Sequence, residues 1–389
     1  MRKQSKNKCS KILTQKIIYV INNKEMESEN MKFIHIADMH FDAPFITVSD
    51  EREFCKLRRL EQREVFKKII DYINENEIPY LFISGDLYEH KYIRQSTIEY
   101  INSLFKKIPN TKVFISPGNH DPYLKNSFYN NYIWSENVTI FTPEINKISL
   151  EDVNIYGYGF EDFYSTRVNI NNIRLDEPEK LNILVIHGTL DGSDAVENNY
   201  NPISKKILGD IGFDYVALGH IHKKNYIQTA NQKIIYPGST ISLGFDELGE
   251  HGMILGDLNK NNLQLNFIKL DTKIFEEKDI DVSNINSEDD LLQKLNEMEL
   301  EDNHFYKINL IGTRRFEINI NEIKKLNTNQ KILKIKNKTK IGINIEKIAK
   351  EATLAGMFAN EILEEINNKP TEADFLSEVL EIGLEILDK

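Results

Sequence analysis

The chain reads as an α/β sandwich, on three observations. From Met31 onward, short apolar runs alternate with stretches whose apolar residues recur at helical spacing. Five of the apolar runs stop abruptly and are followed at once by Asp, Asn or His, usually beside a Gly: IADMH, ISGD, SPGNHD, VIHG and LGHIH. The residues so placed, Asp38, His40, Asp86, Asn119, His187, His220 and His222, are all metal-ligand types. In open α/β sheets, ligands collect beyond the carboxyl ends of the strands.

KFIHIA opens the first strand, and LEQREVFKKIIDYINENEI follows as a helix with Val65, Phe66, Ile69, Ile70 and Ile73 on one side. IPYLFISGD is a buried strand. RQSTIEYINSLFKKI is helical through Ile98, Ile101, Leu104, Phe105 and Ile108, and KVFISPGNHD repeats the strand-then-loop arrangement. VNIYGYGF, NILVIHG, DYVALGHIH and KIIYPGS each read as a strand running into a Gly-containing turn. These elements make one domain over 31–268. The composition then shifts: IFEEKDIDV, EDDLLQKLNEM, FYKINLIGT, NINEIKKL and KILKIKN read as strand, helix, strand, helix, strand, a small α/β domain over 269–340. From 341 to 389 the chain is helical. Leu354, Met357, Phe358, Ile362 and Ile366 lie along one stripe, and Phe375, Val379, Ile382 and Ile386 along another. Such stripes either pack on their own domain or dock a partner helix or coiled coil. Residues 1–30 are polar, basic at first and acidic at the end, with neither the apolar length nor the cleavage site of a signal peptide. They are expected to be a disordered extension ahead of a natural start at Met31, or a genuine tail.

With 389 residues, 40% hydrophobic and 28% charged, the chain belongs among soluble globular proteins of more than one domain. No apolar run approaches the ~18–20 residues a membrane span needs. Two cysteines, Cys9 and Cys55, cannot build a disulfide framework, so a reduced, cytoplasmic setting is expected. The net charge of −11 argues against a surface that attracts nucleic acid as a whole. It leaves a nucleic-acid substrate open, because bound divalent cations would dominate the local field where a phosphate sits.

Asp38 and His40, two apart at a strand end, are placed to grip one cation. Asp86 is the natural bridging carboxylate, the glycine before it allowing a sharp turn. Asn119, His187 and His220 would complete the coordination of a second ion, and His222 would return to the first. This mixed nitrogen and oxygen set suits Mn²⁺, Fe²⁺ or Zn²⁺ better than Mg²⁺ or Ca²⁺. Two ions about 3.5–4 Å apart would activate a bridging hydroxide for in-line attack on phosphorus. His120 is placed to protonate the leaving oxygen, with Asp121 orienting its ring. Lys223 and Lys224 follow GHIH and are candidates for phosphate contact; His90 is a weaker one. His35, inside a strand, is taken as structural. Tyr123, Lys125, Phe128, Tyr132 and Trp134 either stack bases or pack their loop onto the core. Arg314 and Arg315 either contact substrate or are solvated.

ADMH, GDLYE, GNHD, IHG and GHIH, in this order and spacing, resemble the motifs of the calcineurin-like metallophosphoesterases. The opening HIADMHFDAPF, the segment DYVALGHIHKKNYI leading to YPGSTISLGFDELGEHG, and the long carboxyl-terminal region look most like DNA-repair exonucleases of the SbcD and YhaO type. The resemblance is strong over about 31–260. It implies a four-layer αββα core with a small capping domain, and a dinuclear centre, usually Mn²⁺. One ion would be held by Asp38, His40, Asp86 and His222, the other by Asp86, Asn119, His187 and His220. It implies 3′→5′ exonuclease and single-strand endonuclease activity in DNA repair, with DNA and an SMC-like (SbcC-type) ATPase as partners, the latter docked by the carboxyl-terminal helices. A homodimer through the helix near 90–108 is a further expectation by analogy. The chain departs from the pattern three residues after the bridging aspartate, where Glu89 and then His90 stand in place of Asp or His. A phosphoesterase for a small nucleotide or a phosphomonoester, and a DNA-tethering subunit, are the alternative readings.

Overall fold

The computed structural model describes residues 30–45, 52–164, 170–191, 201–229, 232–342 and 345–387. The expected extension at 1–30 therefore falls almost wholly outside the described residues. The chain divides into two compact units, Met1–Ile274 and Phe275–Lys389.

Among the described residues of the first unit, twelve strands form: β1 Met31–Ile36, β2 Tyr80–Ile83, β3 Lys112–Ile115, β4 Val138–Ile140, β5 Asn146–Ser149, β6 Val153–Gly157, β7 Leu181–His187, β8 Tyr215–Gly219, β9 Asn225–Thr229, β10 Gln232–Tyr236, β11 Gly252–Leu258 and β12 Leu263–Lys269. They form two six-stranded sheets, in the orders β12-β11-β1-β2-β3-β4 and β5-β6-β7-β8-β10-β9. In the first, β1 to β4 run parallel, β11 pairs antiparallel with β1, and β12 pairs antiparallel with β11. In the second, β6, β7, β8 and β10 are parallel, with antiparallel β5 and β9 at the edges.

Side-chain alternation decides the layering. Phe33, Phe82 and Phe114 of the first sheet meet Ile155, Val185 and Ala217 of the second in one apolar layer. The opposite faces carry Ile34, Ile83 and Ile115 against the helices Arg52–Glu75 and Gln95–Phe105, and Leu184, Ile186 and Val216 against the helix Lys205–Ile211. The result is an αββα sandwich. Strands buried on both faces read as continuous apolar runs, which is why the sequence pattern was unbroken rather than alternating. The first helix starts at Arg52, eight residues before the expected Leu60, because Cys55 and Arg58 are themselves buried and extend its inward side. His35 lies in the inter-sheet layer, its nitrogens on Tyr215 Oη at 2.9 Å and Ser84 Oγ at 2.7 Å. Burial pushes its pKa down to about 3, so it is a neutral core histidine.

In the second unit, β13 Ile274–Asp281, β14 His304–Ile311 and β16 Ile332–Asn337 make a three-stranded sheet, and β15 Thr313–Arg314 pairs with β17 Lys340–Ile341. Leu291, Leu295 and Ile323, from the helices Glu288–Glu297 and Ile320–Leu326, pack on Ile280, Ile308 and Leu310 of that sheet. Arg314 is paired with Glu317 at 3.2 Å. The helices Leu354–Asn368 and Ala373–Leu387 pack through Ala359, Leu380 and Leu384, joined by Phe358, Ile362 and Ile366. The two expected stripes are thus split. Leu354, Met357, Phe375, Ile382 and Ile386 are exposed at 52–70%, because the last helix turns Leu380 and Leu384 inward instead.

Candidate metal centre

Each candidate ligand stands at or just beyond the end of a parallel strand, His187 as the last residue of β7, and the backbone at four of them is unusual. Asp38, His40 and Asp86 have φ near +50° and His220 has φ +103°. Non-glycine residues in this region cost energy and cluster at functional sites. Asp38 and His40 therefore converge through left-handed loop geometry and not through strand alternation. Backbone bonds fix the loop: Asp38 N donates to Gly85 O at 3.1 Å and His40 N to Asp86 O at 2.8 Å. Gly85 has φ +89°, and a Cβ there would strike the His187 ring. A Cβ at Gly118 would strike the Asp86 carboxylate.

Asp38, His40, Asp86, Asn119 and His187 are buried to within 7%, and His220 and His222 are half-buried. Among the described residues, three groups of donor atoms lie close enough to share an ion: Asp38, His40 and His222; His40, Asp86 and His120; and Asp38, Asp86 and His187. His40 Nε2 is 3.2 Å from His222 Nε2 and 3.7 Å from Asp86 Oδ2. His187 Nε2 is 3.0 Å from Asn119 Oδ1 and 3.4 Å from Asp86 Oδ2. The His220 ring stands edge-on to His187, 5.2 Å between centroids, and its amide donates to both Asp38 oxygens at 3.0 and 3.1 Å.

The imidazoles are held from behind. His40 Nδ1 bonds Glu89 Oε1 at 2.8 Å, His222 Nδ1 bonds Glu247, and His187 Nδ1 donates to Ser84 O at 2.8 Å. With Nδ1–H so used, Nε2 is left as a lone pair facing inward, the tautomer a metal requires. Two such lone pairs face one another at His40 and His222. Only a positive charge between them, a proton or a metal ion, relieves that arrangement. Metal-free, protons take the role. Burial would lower the pKa of His222, but Glu247 and Asp38 raise it to about 10. Burial opposes Asp86 likewise at His187, which ends up at about 9. The donor set fits divalent cations held by nitrogen and oxygen, with no thiolate.

His120 is 45% exposed at this cluster, its ring 4.8 Å from that of His40. Its amide donates to Asp86 Oδ1 at 2.8 Å, and its Nδ1 bonds Glu89 Oε2 at 3.0 Å. Burial lowers its pKa and Glu89 raises it, to a net value of about 9. The expected orienter, Asp121, is elsewhere. It is fully buried beneath the loop and accepts the amides of Asp86, Leu87, Tyr88 and Gly118 and the Tyr129 hydroxyl. Successive loop residues point to different sides, so Asp121 clamps two loops while Glu89 orients His120. Glu89 and Glu247 were missed as orienting groups. In the sequence Glu89 stands out only as a departure from the family pattern, and Glu247 lies within YPGSTISLGFDELGEHG with nothing to single it out. Glu247 is itself held by Ser239 Oγ at 2.8 Å and Leu243 N at 3.1 Å.

The expected phosphate contacts are placed less favourably. Lys224 Nζ turns to Glu250 at 3.3 Å and lies 4.0 Å over the Phe267 ring. Lys223 is exposed. His90 bonds His120 O through its amide at 2.9 Å, and its ring packs edge-on to Phe163 at 5.6 Å. Tyr123, Phe128, Tyr132 and Trp134 are half-buried and pack against the core, the second of the two expected arrangements.

Residues 31–224 match the calcineurin-like phosphoesterase family. The chain is 26% identical over 264 residues to the uncharacterized metallophosphoesterase YhaO of Bacillus subtilis, spanning 65% of this chain and 64% of that protein. Among solved structures it is similar to a purple acid phosphatase from yellow lupin (Lupinus luteus), with 13% identity, 62% of this chain, 52% of that chain and a TM-score of 0.42. It is also similar to a dimetal phosphatase from Danio rerio, with 9% identity, 61% of this chain, 95% of that chain and a TM-score of 0.37. No helix among the described residues is long and apolar enough to cross a membrane. The family uses divalent metals, and this chain gathers the side chains to hold them: residues 31–224 are a calcineurin-like metallophosphoesterase domain.

Proposed function

We propose that the chain is a metal-dependent phosphodiesterase acting on DNA, a nuclease of the SbcD and YhaO type, with Mn²⁺ as its metal. The observation that carries this reading is His120: half-exposed beside a buried ligand cluster, and held at Nδ1 by Glu89. A diester expels a sugar alkoxide, which needs a proton, and a cationic imidazole at that position donates one, an effect worth about 10²–10⁴-fold. Asp38, His40, Asp86 and His222 would hold one ion, and Asp86, Asn119, His187 and His220 the other. Bound there, divalent cations supply charge neutralisation at phosphorus and an activated water. Glu89 and Glu247 keep the imidazole nitrogens aimed inward, and His120 moves the proton.

A second reading, a phosphoesterase for a small nucleotide, is favoured by the charge around the site. Exposed Glu161, Asp162 and Glu250 lie on loops of this unit, and Lys224 is engaged by Glu250. If DNA is the substrate, a partner must supply basic surface. An SMC-like ATPase would do so, docked on the exposed Leu354, Met357, Phe375, Ile382 and Ile386. The test is hydrolysis of linear duplex DNA, single-stranded DNA and a small chromogenic phosphodiester with Mn²⁺, Mg²⁺ or chelator, beside His220→Ala. Mn²⁺-driven DNA degradation that chelator and variant abolish supports the nuclease. Cleavage of the small ester alone favours the second reading unless an added SMC-like ATPase restores DNA cleavage, and cleavage of none of the three substrates by metal-loaded protein refutes both.

A further inference from the structure

The loop that follows β6 runs along the rim of the metal centre. It passes Phe160, whose ring stands edge-on to the candidate ligand His187 at 5.5 Å. Backbone bonds tie it beside the GNHD loop: Phe160 N donates to Pro117 O at 3.0 Å, and Tyr123 N to Phe160 O at 2.7 Å. Three residues on, the Phe163 ring meets His90 at 5.6 Å, and the His90 amide donates to His120 O at 2.9 Å. One short segment therefore spans from a candidate ligand to the neighbour of the candidate acid. At that second end its aromatics face solvent: Phe163 is 37% exposed and Tyr164 75%, and Tyr92, on the loop bearing His90, is 43% exposed.

Scattered exposed aromatics need no explanation, but here they gather on two loops that meet beside His120. The segment Tyr158–Tyr164 carries Glu161 and Asp162 and no Lys or Arg, so it is unsuited to tracking a phosphate backbone. A nucleobase is neutral and offers a π-face to any aromatic ring. We infer that Phe163, with Tyr164 beside it, is a stacking subsite for the base of the nucleotide whose phosphate lies at the metal centre. The inference rests on the phosphoester reading above and deepens it. It makes the substrate a nucleotide unit, free or at a chain end, rather than a simple phosphomonoester.

The test is equilibrium binding of thymidine 5′-monophosphate and of deoxyribose 5-phosphate, which lacks only the base, to the Mn²⁺-loaded full chain by calorimetry. Stacking on one ring predicts that the nucleotide binds about 5- to 150-fold more tightly. Phe163→Ala brings that ratio towards one, and Phe163→Trp retains it. A wild-type ratio near one, binding of neither ligand, or a ratio that survives Phe163→Ala overturns the inference. Activity on DNA reports separately on the nuclease reading. DNA cleavage with a ratio near one sinks the subsite and keeps the nuclease. A large ratio lost in Phe163→Ala, with no DNA cleavage, does the reverse.

Discussion

Replacing Glu89 by Gln should weaken metal binding without unfolding the protein. The carboxylate bonds two imidazoles at once, His40 Nδ1 at 2.8 Å and His120 Nδ1 at 3.0 Å. Burial pushes its pKa up, but the hydrogen bonds from His120 and His40 outweigh that and bring it down to about 2, so it is an anion throughout the working range. Glutamine keeps the shape but has one acceptor oxygen, and its amide nitrogen would point a donor at the second Nδ1–H. One imidazole must then change tautomer. If His40 changes, its Nε2 carries the proton and no longer offers a lone pair to an ion. Orienting partners of metal-bound histidines are worth about 10- to 100-fold in affinity or activity, equivalent to about 1.4–2.7 kcal/mol. That agrees with the ~1.5–3 kcal/mol of a hydrogen bond to a charged group. Calorimetric titration of metal-free wild type, Glu89→Gln and Glu89→Asp with Mn²⁺ measures it, with Glu89→Asp expected to lose less. Repeating the titration in a His120→Ala background separates the two bonds, since the loss transmitted through His40 must persist there. Glu89→Gln protein that takes up both ions as tightly as wild type would refute the argument.

Glu247→Gln removes the carboxylate behind His222, and a comparable 10- to 100-fold loss of metal affinity is expected by the same titration; unchanged binding would deny Glu247 its orienting role. Asp121→Asn puts an amide donor among five donors in a fully buried site, and a loss of about 3–5 kcal/mol should appear in urea unfolding; a loss below 1 kcal/mol would contradict the clamp. Metal-free His187 and His222 are raised to about 9 and about 10, and an ion needs both neutral. Metal affinity should therefore rise with pH through that window, with protons released on binding, and proton uptake or no release in buffers of different ionisation enthalpy would contradict the assignment. The same shifts mean that these two protonated histidines stabilise the metal-free fold fully below pH ~6.5, a contribution lost as pH climbs through about 9 to 10. Gly85→Ala forces a Cβ into the His187 ring at φ +89° and should abolish metal uptake; full binding by a folded Gly85→Ala chain would argue against that packing.

The sandwich was legible in the sequence because strands buried on both faces leave uninterrupted apolar runs, and because parallel strands must deliver their last residues to one edge. IADMH, ISGD, VIHG and LGHIH announce that edge with residues that make poor core, so the candidate ligands could be picked from one dimension. What surrounds them could not, and the failures share a cause. Adjacency in the chain pairs Asp121 with His120, yet these two loop neighbours face opposite ways, and Asp121 lies beneath Asp86 instead. Glu89 and Glu247 reach His40 and His222 across 49 and 25 residues, and no periodicity distinguishes Glu247 from Asp246 or Glu250 beside it. The aromatics at 123–134 allow either a stacking surface or a packed loop, and Tyr123, Phe128, Tyr132 and Trp134 rest half-buried against the core, while Phe163 and Tyr164 lie in a stretch without any motif. The last helix shows the same limit. An apolar stripe says that one face seeks cover, but Leu380 and Leu384 take the inner position while Phe375, Ile382 and Ile386 stay outside. Strand ends are set by the local chain, whereas the groups that orient a ligand or read a substrate are set by which loops meet. For this chain the metal chemistry is therefore a property of the motifs, whereas what surrounds them is a property of which loops meet.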